Sequence, residues 1–331
     1  MADSYQGVGR WHRPLLYFAA AMVVTTVISA VGLAVDDRIL VGAPIWAKPL
    51  KFSISFVVYA VTWSWLLSLQ TRFRRTGWWM GTVAVAAGLV EMAIIIAQTV
   101  RGHRSHFNTA NDLDEVLWIM MGATIVVLFL ANLVWTLGLW REDLGDRSLA
   151  TAIRLGAVLS LVGLGLGFLM TSPSGEQIEA MRAGADTFTG AHSVGVSDGG
   201  PGLPLLNWST TGGDLRIPHF IGMHALQAIP LLAALLLWLG GRLPLLRSVV
   251  RRTWLVRTAS LGYAGLIALV TWQALRGQPI VAPDAATLVG FAVLVAGVAI
   301  GVGLALTRDR ADAVRVAEPV TQEPVERGSR A

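Results

Sequence analysis

The chain of 331 residues contains no cysteine. This absence excludes disulfide bonds, thiolate nucleophiles, zinc sites with cysteine ligands and cysteine-ligated iron–sulfur clusters. Charge is also scarce, since Asp, Glu, Lys and Arg together make up only 14% of the residues. A soluble domain of this length carries about twice that share, so the composition argues against the soluble classes of protein.

Lysine is the rarest of the charged residues. Lys48 and Lys51 are the only lysines among 26 basic residues, and both lie in Trp46-Ala-Lys-Pro-Leu-Lys-Phe52. The net charge of +5 would suit a nucleic-acid partner, but the arginines are scattered between apolar runs and do not form one patch or arm. We therefore expect no nucleic-acid partner and interpret the basic residues as determinants of membrane topology.

Long apolar runs take the place of the missing charge. Hydrophobic residues make up 54% of the chain, and its mean hydropathy is +0.60. A helix that spans the hydrocarbon core of a bilayer needs about 20 apolar residues. Runs of that length lie near 15–35, 49–69, 77–100, 115–140, 149–171, 219–239, 255–275 and 285–306. These runs predict an all-α integral membrane protein with about eight transmembrane helices, the first of them an uncleaved span.

The distribution of basic residues predicts the orientation. The loops on the side of residue 1 hold about twice as many basic residues as the loops on the other side. By the positive-inside rule, this excess predicts that both termini are cytoplasmic. We expect the protein to lie in the inner (plasma) membrane of the cell. We expect one transmembrane domain over 1–306 and a disordered cytoplasmic tail over 307–331. The segment 172–218, between the fifth and sixth helices, is long enough to be an outer lid or binding loop.

Histidines concentrate on the predicted outer side. His103 and His106 are three residues apart, so one helical turn would place both on one face, where they could hold a metal. His219 and His224 are five apart, which separates them by roughly 140° on a regular helix, whereas Gln227 shares a face with His224. The histidines of the predicted outer side are His103, His106, His192, His219 and His224.

Polar residues also occur inside the predicted spans. Glu91 is the only acidic residue deep in a span, and an ionisable group at that depth indicates a functional site. Gln98 lies on the same stripe of the third helix as Glu91. A second stripe on the second helix holds Lys51, Ser55, Tyr59 and Thr62. We expect a polar pocket between the second, third and sixth helices, with Lys51 paired to Glu91 or bound to a ligand anion.

A rim of cations surrounds this predicted pocket. The arginines of the rim suit phosphate or carboxylate, which a guanidinium binds with two parallel hydrogen bonds. Nearby acidic residues, Asp112, Asp114, Glu115 and Asp214, would neutralise the rim instead if they paired with it. The predicted anion-binding residues are Lys48, Lys51, Arg101, Arg104 and Arg216.

Four motifs resemble a functionally uncharacterised family of bacterial polytopic membrane proteins. The motifs are the Trp46–Phe52 segment, Gln98-Thr-Val-Arg-Gly-His-Arg-Ser-His-Phe-Asn108, Asp198-Gly-Gly-Pro-Gly-Leu-Pro204, and Gly213-Asp-Leu-Arg-Ile-Pro-His-Phe-Ile-Gly-Met-His-Ala-Leu-Gln227. The resemblance extends over residues from about 40 to 240. It implies a multi-pass membrane protein and no particular activity.

Four functions remain open on these observations. The first is a membrane redox protein with haem b or a divalent metal, for which His103, His106, His219 and His224 would supply ligands. The second is an enzyme that acts on a lipid or isoprenoid phosphate at the outer leaflet. The third is a proton-coupled transporter that uses Glu91. The fourth is a scaffold whose polar residues only join helices. In a catalytic site we expect Glu91, Lys51, His224 and Gln227.

Overall fold

The computed structural model describes residues 11–173, 175–183 and 189–317. Nearly all of the regular structure in this part of the chain is helical. The helices are α1 (Arg13–Val35), α2 (Ala47–Ser68), α3 (Arg74–Arg101), α4 (Asp112–Leu139), α5 (Arg147–Leu166), α6 (Gly175–Arg182), α7 (Arg216–Met223), α8 (Ala225–Gly240), α9 (Val249–Leu275) and α10 (Ala285–Ala317). Two-residue strands pair as β1 (Ile39–Leu40) with β2 (Ala43–Pro44), and β3 (Ser193–Val194) with β4 (Gly213–Asp214).

Eight helical spans in the described residues are long and apolar enough to cross a bilayer. They are α1 to α4, α5 with the 3₁₀ turn that continues it to Thr171, α7 with α8, α9, and α10. The predicted all-α protein with eight spans is therefore confirmed. The loop that joins the fifth span to α7 is called the long loop, and the structure describes it over 172–173, 175–183 and 189–215. We call the side that carries this loop and residues 102–111 the long-loop face, which is the side predicted to be the outer one.

Several spans begin two or three residues before the apolar runs, because polar residues cap them. The side chain of Asn111 accepts a hydrogen bond from the backbone N–H of Asp114 at 3.0 Å, and this contact starts α4. Asp146 accepts from the backbone N–H of Ser148 at 2.8 Å and starts α5 in the same way. Such caps satisfy N–H groups that have no partner inside the helix.

Helix α3 ends earlier than the predicted histidine pair requires. Gly102 has a φ of 78°, in the left-handed region that a residue with a side chain rarely adopts, and the N–H of His103 donates to the carbonyl of Gln98 at 2.9 Å. This is a common way to close a helix. Residues 103–106 are consequently not helical. The prediction that one helical turn places His103 and His106 on one face is wrong.

The sixth span is interrupted where a regular helix was expected. Helix α7 ends at Met223 and α8 starts at Ala225, with His224 at the junction between them. The N–H of His224 still donates to the carbonyl of Phe220 at 3.1 Å, so the chain continues in the same direction. The 140° separation calculated for His219 and His224 on one regular helix therefore does not apply.

The spans pack as two groups that enclose a cavity. In the first group α1 packs on α2, α2 on α3 and α3 on α4, around the buried side chains of Leu15, Trp63, Met92 and Trp135. In the second group α5 packs against α7, α8 and α9, and α10 packs against α9. Helix α4 contacts α5, and α2 contacts α8, so the two groups meet on both sides of the cavity.

Two predicted boundaries change. The loop over 172–218, predicted to be a lid, ends earlier because α7 already begins at Arg216, and this loop contains helix α6 and the β3–β4 pair. Helix α10 extends to Ala317, past the expected start of the tail at 307, since alanine and arginine there are good helix formers. Residues 174, 184–188 and 318–331 lie outside the described part of the chain, and with them the rest of the predicted disordered tail.

Candidate functional site

A cavity of about 310 Å³ opens near the long-loop face and reaches down between the helices. Helices α2, α3, α4, α5, α7 and the start of α8 form its walls. The predicted pocket between the second, third and sixth spans therefore exists, with the fourth and fifth spans as further walls. Its polar residues include Lys48, Lys51, Ser55, Tyr59, Glu91, His103, Arg104, His106, His192, Asp198, Asn207, Arg216, His219, His224 and Gln227.

Both lysines of the chain line this cavity. The Nζ of Lys48 lies 3.0 Å from Nδ1 of His106, and the Nζ of Lys51 donates to the carbonyl of Leu206 at 2.8 Å. In the described part of the chain neither ammonium has a carboxylate oxygen within 4.0 Å. Neither lysine of the cavity is therefore neutralised by a contacting carboxylate in this part of the chain.

The arginines of the predicted rim divide into two groups. Arg101 forms an ion pair with Asp114 at 2.6 Å and does not line the cavity, so the structure places it away from the other four predicted anion-binding residues. Arg216 lines the cavity and pairs with Asp214 at 2.6 Å. Arg104 also lines the cavity. Burial lowers the pKa of its guanidinium, and the negative charge of Asp198 acts to raise this pKa.

His103 and His106 both line the cavity but bind different partners. Nδ1 of His103 lies 2.8 Å from the Oδ2 of Asp114, whereas Nδ1 of His106 faces the Nζ of Lys48. Burial, followed by the charge of Lys48, lowers the pKa of His106 well below its ordinary value of 6.5. No group of three or more His, Asp or Glu side chains among the described residues is arranged to hold a metal ion.

His219 and His224 line the cavity on the other side. Nδ1 of His219 donates to the carbonyl of Gly163 at 2.8 Å, and Nδ1 of His224 lies 3.2 Å from the Oε1 of Gln227. His224 and Gln227, which the sequence predicted to share a helix face, are in contact. A neutral imidazole whose Nδ1 carries the proton keeps a lone pair on Nε2. Both rings therefore retain a nitrogen that can accept a proton or bind a ligand.

Glu91 lies at the deep end of the cavity and is 1% exposed. Its Oε1 accepts a hydrogen bond from the hydroxyl of Thr124 at 2.9 Å, whereas Oε2 has no hydrogen-bond partner in the part of the chain that is described. Lys48, and not Lys51, is the lysine that interacts electrostatically with Glu91. A Lys51–Glu91 pair, one of the two alternatives predicted for Lys51, is not formed, because Lys51 reaches the long loop instead.

The long loop is fastened over the mouth of the cavity. Besides the Lys51 contact with Leu206, Arg216 donates to the carbonyl of Asn207, and the side chain of Asn207 donates to the carbonyl of Val41 at 3.3 Å. Strained backbone often marks functional sites. The non-glycine residues with a positive φ in the described chain all lie in loops of this face: Val41, Phe107, Leu205 and Asn207.

One pair of residues in the cavity, His192 and Asp198, was not predicted from the sequence. Nδ1 of His192 lies 2.9 Å from Asp198 Oδ2, and the backbone N–H groups of His192 and Ser193 also donate to this carboxylate, at 3.1 and 2.9 Å. Burial lowers the pKa of His192, against the opposing effect of Asp198. Burial acts to raise the pKa of Asp198. The hydrogen bonds from His192 nevertheless hold this pKa well below its usual range. The only signal in the sequence was a histidine six residues before the acidic residue of a glycine-rich turn.

Comparison with protein-family models, with curated proteins and with solved structures finds no match to this chain. The resemblance suggested by the four motifs therefore stays a prediction. The structure itself establishes a multi-pass helical membrane protein with a cavity that gathers lysine, arginine, histidine and glutamate side chains.

Proposed function

We propose that this protein is an enzyme that acts on a lipid or isoprenoid phosphate, whose phosphate group it binds at the polar mouth of the cavity. The observation that carries the proposal is the pair of lysines. Both line one cavity, and neither has a carboxylate partner within ion-pair distance in the described part of the chain. A half-buried ammonium without a carboxylate in contact costs free energy, part of which a bound phosphate would recover.

The arrangement of charge supports a bound anion. Arg104 and Arg216 add guanidinium groups to the same cavity, and Arg216 already has its own counter-ion in Asp214. Lys48 and Lys51 are one helical turn apart at the start of α2, so both ammonium groups reach the same end of the cavity. Cations placed in advance at a site with little water stabilise a phosphoryl group more than they would in water.

The walls below this mouth support an apolar chain on the ligand. They combine aromatic and aliphatic side chains from α2, α4, α5 and α7, and they reach as far as Glu91. A ligand with a charged head and a hydrocarbon chain would match both parts. The apolar lining residues include Phe52, Phe56, Trp118, Met121, Leu128, Leu164, Phe168, Phe220 and Met223.

Binding is tested by thermal unfolding of the purified protein in detergent with a polyprenyl phosphate or with the matching polyprenol. We expect the polyprenyl phosphate to raise the unfolding temperature and the polyprenol to have little effect on it. A ligand at 100 times its Kd stabilises the folded state by about 2.7 kcal/mol. Lys48→Gln and Lys51→Gln should each weaken binding about 10- to 100-fold, as expected when a hydrogen bond to a charged group is lost.

The matched control is Arg38→Gln. Arg38 lies on the same face but outside the cavity, and its side chain is 47% exposed in an ion pair with Asp36. This variant should bind the polyprenyl phosphate as the wild type does. The proposal would be contradicted if the polyprenyl phosphate and the polyprenol stabilised the protein equally. It would also be contradicted if both lysine variants bound the polyprenyl phosphate as tightly as the wild type.

A haem protein is the second candidate, and His219 favours it. A histidine that binds iron commonly donates its other ring N–H to a backbone carbonyl, and His219 makes this contact with Gly163. His106 fits the role less well, because its Nδ1 faces Lys48. A reduced-minus-oxidised optical spectrum tests the idea: a haem band that His219→Ala removes would support it, and a flat spectrum of folded protein expressed with sufficient haem would reject it.

A further inference from the structure

The His192–Asp198 pair has the geometry of an oriented general base. Asp198 accepts from Nδ1 of His192, which fixes the imidazole with its proton on Nδ1 and its lone pair on Nε2. The carboxylate is itself held by two backbone N–H groups, and the ring packs edge-on against Phe107 with a centroid separation of 5.1 Å. The ring is therefore fixed in both tautomer and direction.

This base shares the cavity with the cations that would hold the phosphate. His192 and Asp198 line the same cavity as Lys48, Lys51 and Arg216. The charged and titratable groups that act on the imidazole are Asp198, Lys48, Arg216, His106 and His219. Burial lowers the pKa of His192 below 6.5, and the two cations act in the same direction. The ring is consequently neutral at pH 7, which is the state that a base requires.

We propose that His192, oriented by Asp198, is the general base for hydrolysis of the phosphoanhydride bond of an isoprenoid diphosphate bound in this cavity. The inference rests on the proposed function and adds to it a substrate class and a catalytic residue. A diphosphate fits better than a monophosphate ester, because its leaving group is a phosphate that departs with its own charge. An alkoxide leaving group would need a proton from a second residue.

The reaction is balanced with water as the second reactant. The oxygen of a water molecule forms a bond to the terminal phosphorus while one of its protons passes to Nε2 of His192. The bond between that phosphorus and the bridging oxygen breaks, and its electron pair stays on the bridging oxygen. The products are the isoprenoid monophosphate and inorganic phosphate, and His192 then releases its proton to solvent. Lys48, Lys51 and Arg216 stabilise the charge that accumulates on the phosphoryl oxygens.

The experiment measures phosphate release from farnesyl diphosphate, and from a longer polyprenyl diphosphate, by the full-length protein in detergent. We expect His192→Gln and Asp198→Asn to lower turnover about 10²- to 10⁴-fold, the range for loss of a general base. Binding of the diphosphate, followed by thermal unfolding, should change little. The control in the same loop is Thr210→Val, since Thr210 is only half-buried and lies outside the cavity.

The pH profile separates a catalytic role from a structural one. The wild-type kcat/KM should rise to a plateau as the pH increases through a pKa below 6.5, and this ionisation should disappear in His192→Gln. This measurement needs only the wild-type protein if the variants fail to fold.

The base role of His192 would be overturned if His192→Gln kept the turnover of the wild type, or if the wild-type pH profile lacked this ionisation. Either result would leave the proposed function intact. A wild-type protein that binds the diphosphate without releasing phosphate would overturn the hydrolysis, and one that binds neither phosphate nor diphosphate would overturn the proposed function.

Discussion

At the scale of single residues, the cations around the cavity differ in their counter-ions. Arg216 has an aspartate partner at 2.6 Å, whereas Lys48 and Lys51 bind a histidine nitrogen and a backbone carbonyl. Lysine is a compact point charge with three donors that rotate, and arginine is a longer planar fork. The chain uses lysine only at these two positions, which points to a site where the shape of the cation matters.

Lys51→Arg tests this distinction. The longer guanidinium cannot keep both the contact with the carbonyl of Leu206 and the position of the ammonium, so we expect turnover to fall at least about tenfold although the charge is unchanged. The assay is phosphate release under the conditions used for the wild type. Arg38→Lys, on the same face but outside the cavity, is the control for an exchange of arginine and lysine. A fully active Lys51→Arg would show that only the charge is needed.

Glu91 presents the opposite case, a buried acid with one oxygen that lacks a partner in the described chain. Glu91→Gln keeps the shape of the side chain and its contact with Thr124 but removes the possibility of a charge. Because a buried carboxylate is costly when ionised, we expect the variant to unfold at the same or a higher temperature. Thr124→Val, which removes the hydrogen bond to Oε1, should unfold at a lower temperature. A marked loss of stability in Glu91→Gln would show that Glu91 makes a structural ion pair.

Proton-coupled transport by Glu91 stays a separate prediction. Vesicles that contain the wild-type protein would take up protons along an imposed pH gradient in the presence of the transported solute, and Glu91→Gln would abolish this flux. Unaltered flux in the variant would remove Glu91 from such a mechanism.

At the scale of helices, the close approach of α5 and α7 positions one wall of the cavity. A Cβ atom built on Gly163 would lie 2.2 Å from the backbone carbon of Gly222, so the two helices touch through glycine. The carbonyl of the same Gly163 accepts the hydrogen bond of His219. Because backbone atoms cannot move aside as a flexible side chain can, the glycine sets both the helix separation and the direction of a cavity histidine.

Gly163→Ala should therefore destabilise the protein by about 1–3 kcal/mol, the usual cost of overpacking. It should also displace His219 and weaken ligand binding. Gly165→Ala is a matched control on the same helix, since a Cβ atom there meets nothing within 4 Å. Thermal unfolding in detergent and the polyprenyl phosphate assay measure the two effects. Equal behaviour of the two alanine variants would show that α5 and α7 are not in contact.

The spans could be predicted from the sequence because membrane insertion depends on the length and hydropathy of local segments. The details that shape the site depend on single residues or on distant contacts. Gly102 ends α3 before the histidine pair, and the fixed turn of the long loop brings Asp198 to His192. The contact of Lys51 with Leu206 joins residues 155 positions apart, which no local pattern indicates. The cavity residues on α2 could be predicted from the sequence, because Lys51, Ser55 and Tyr59 lie on one stripe of a single helix.

At the scale of the whole molecule, the orientation in the membrane decides which compartment supplies the ligand. An even number of spans places residues 11 and 308 on the same side, opposite to the long-loop face. The excess of basic residues predicts that this shared side is the cytoplasm. A phosphate bound beneath the long loop would then come from the outer leaflet, and the water for its hydrolysis would come from outside the cell.

The absence of cysteine makes this orientation directly measurable, because a single introduced thiol is the only one in the chain. Leu205 is 75% exposed on the long loop, and Asp143 is exposed in the loop between α4 and α5 on the opposite face. We expect a membrane-impermeant maleimide to label Leu205→Cys in intact cells and to label Asp143→Cys only after the cells are permeabilised, while the wild-type protein stays unlabelled. The reverse pattern would place the long loop in the cytoplasm. The cavity would then receive its ligand from the inner leaflet, and the basic residues would not follow the positive-inside rule.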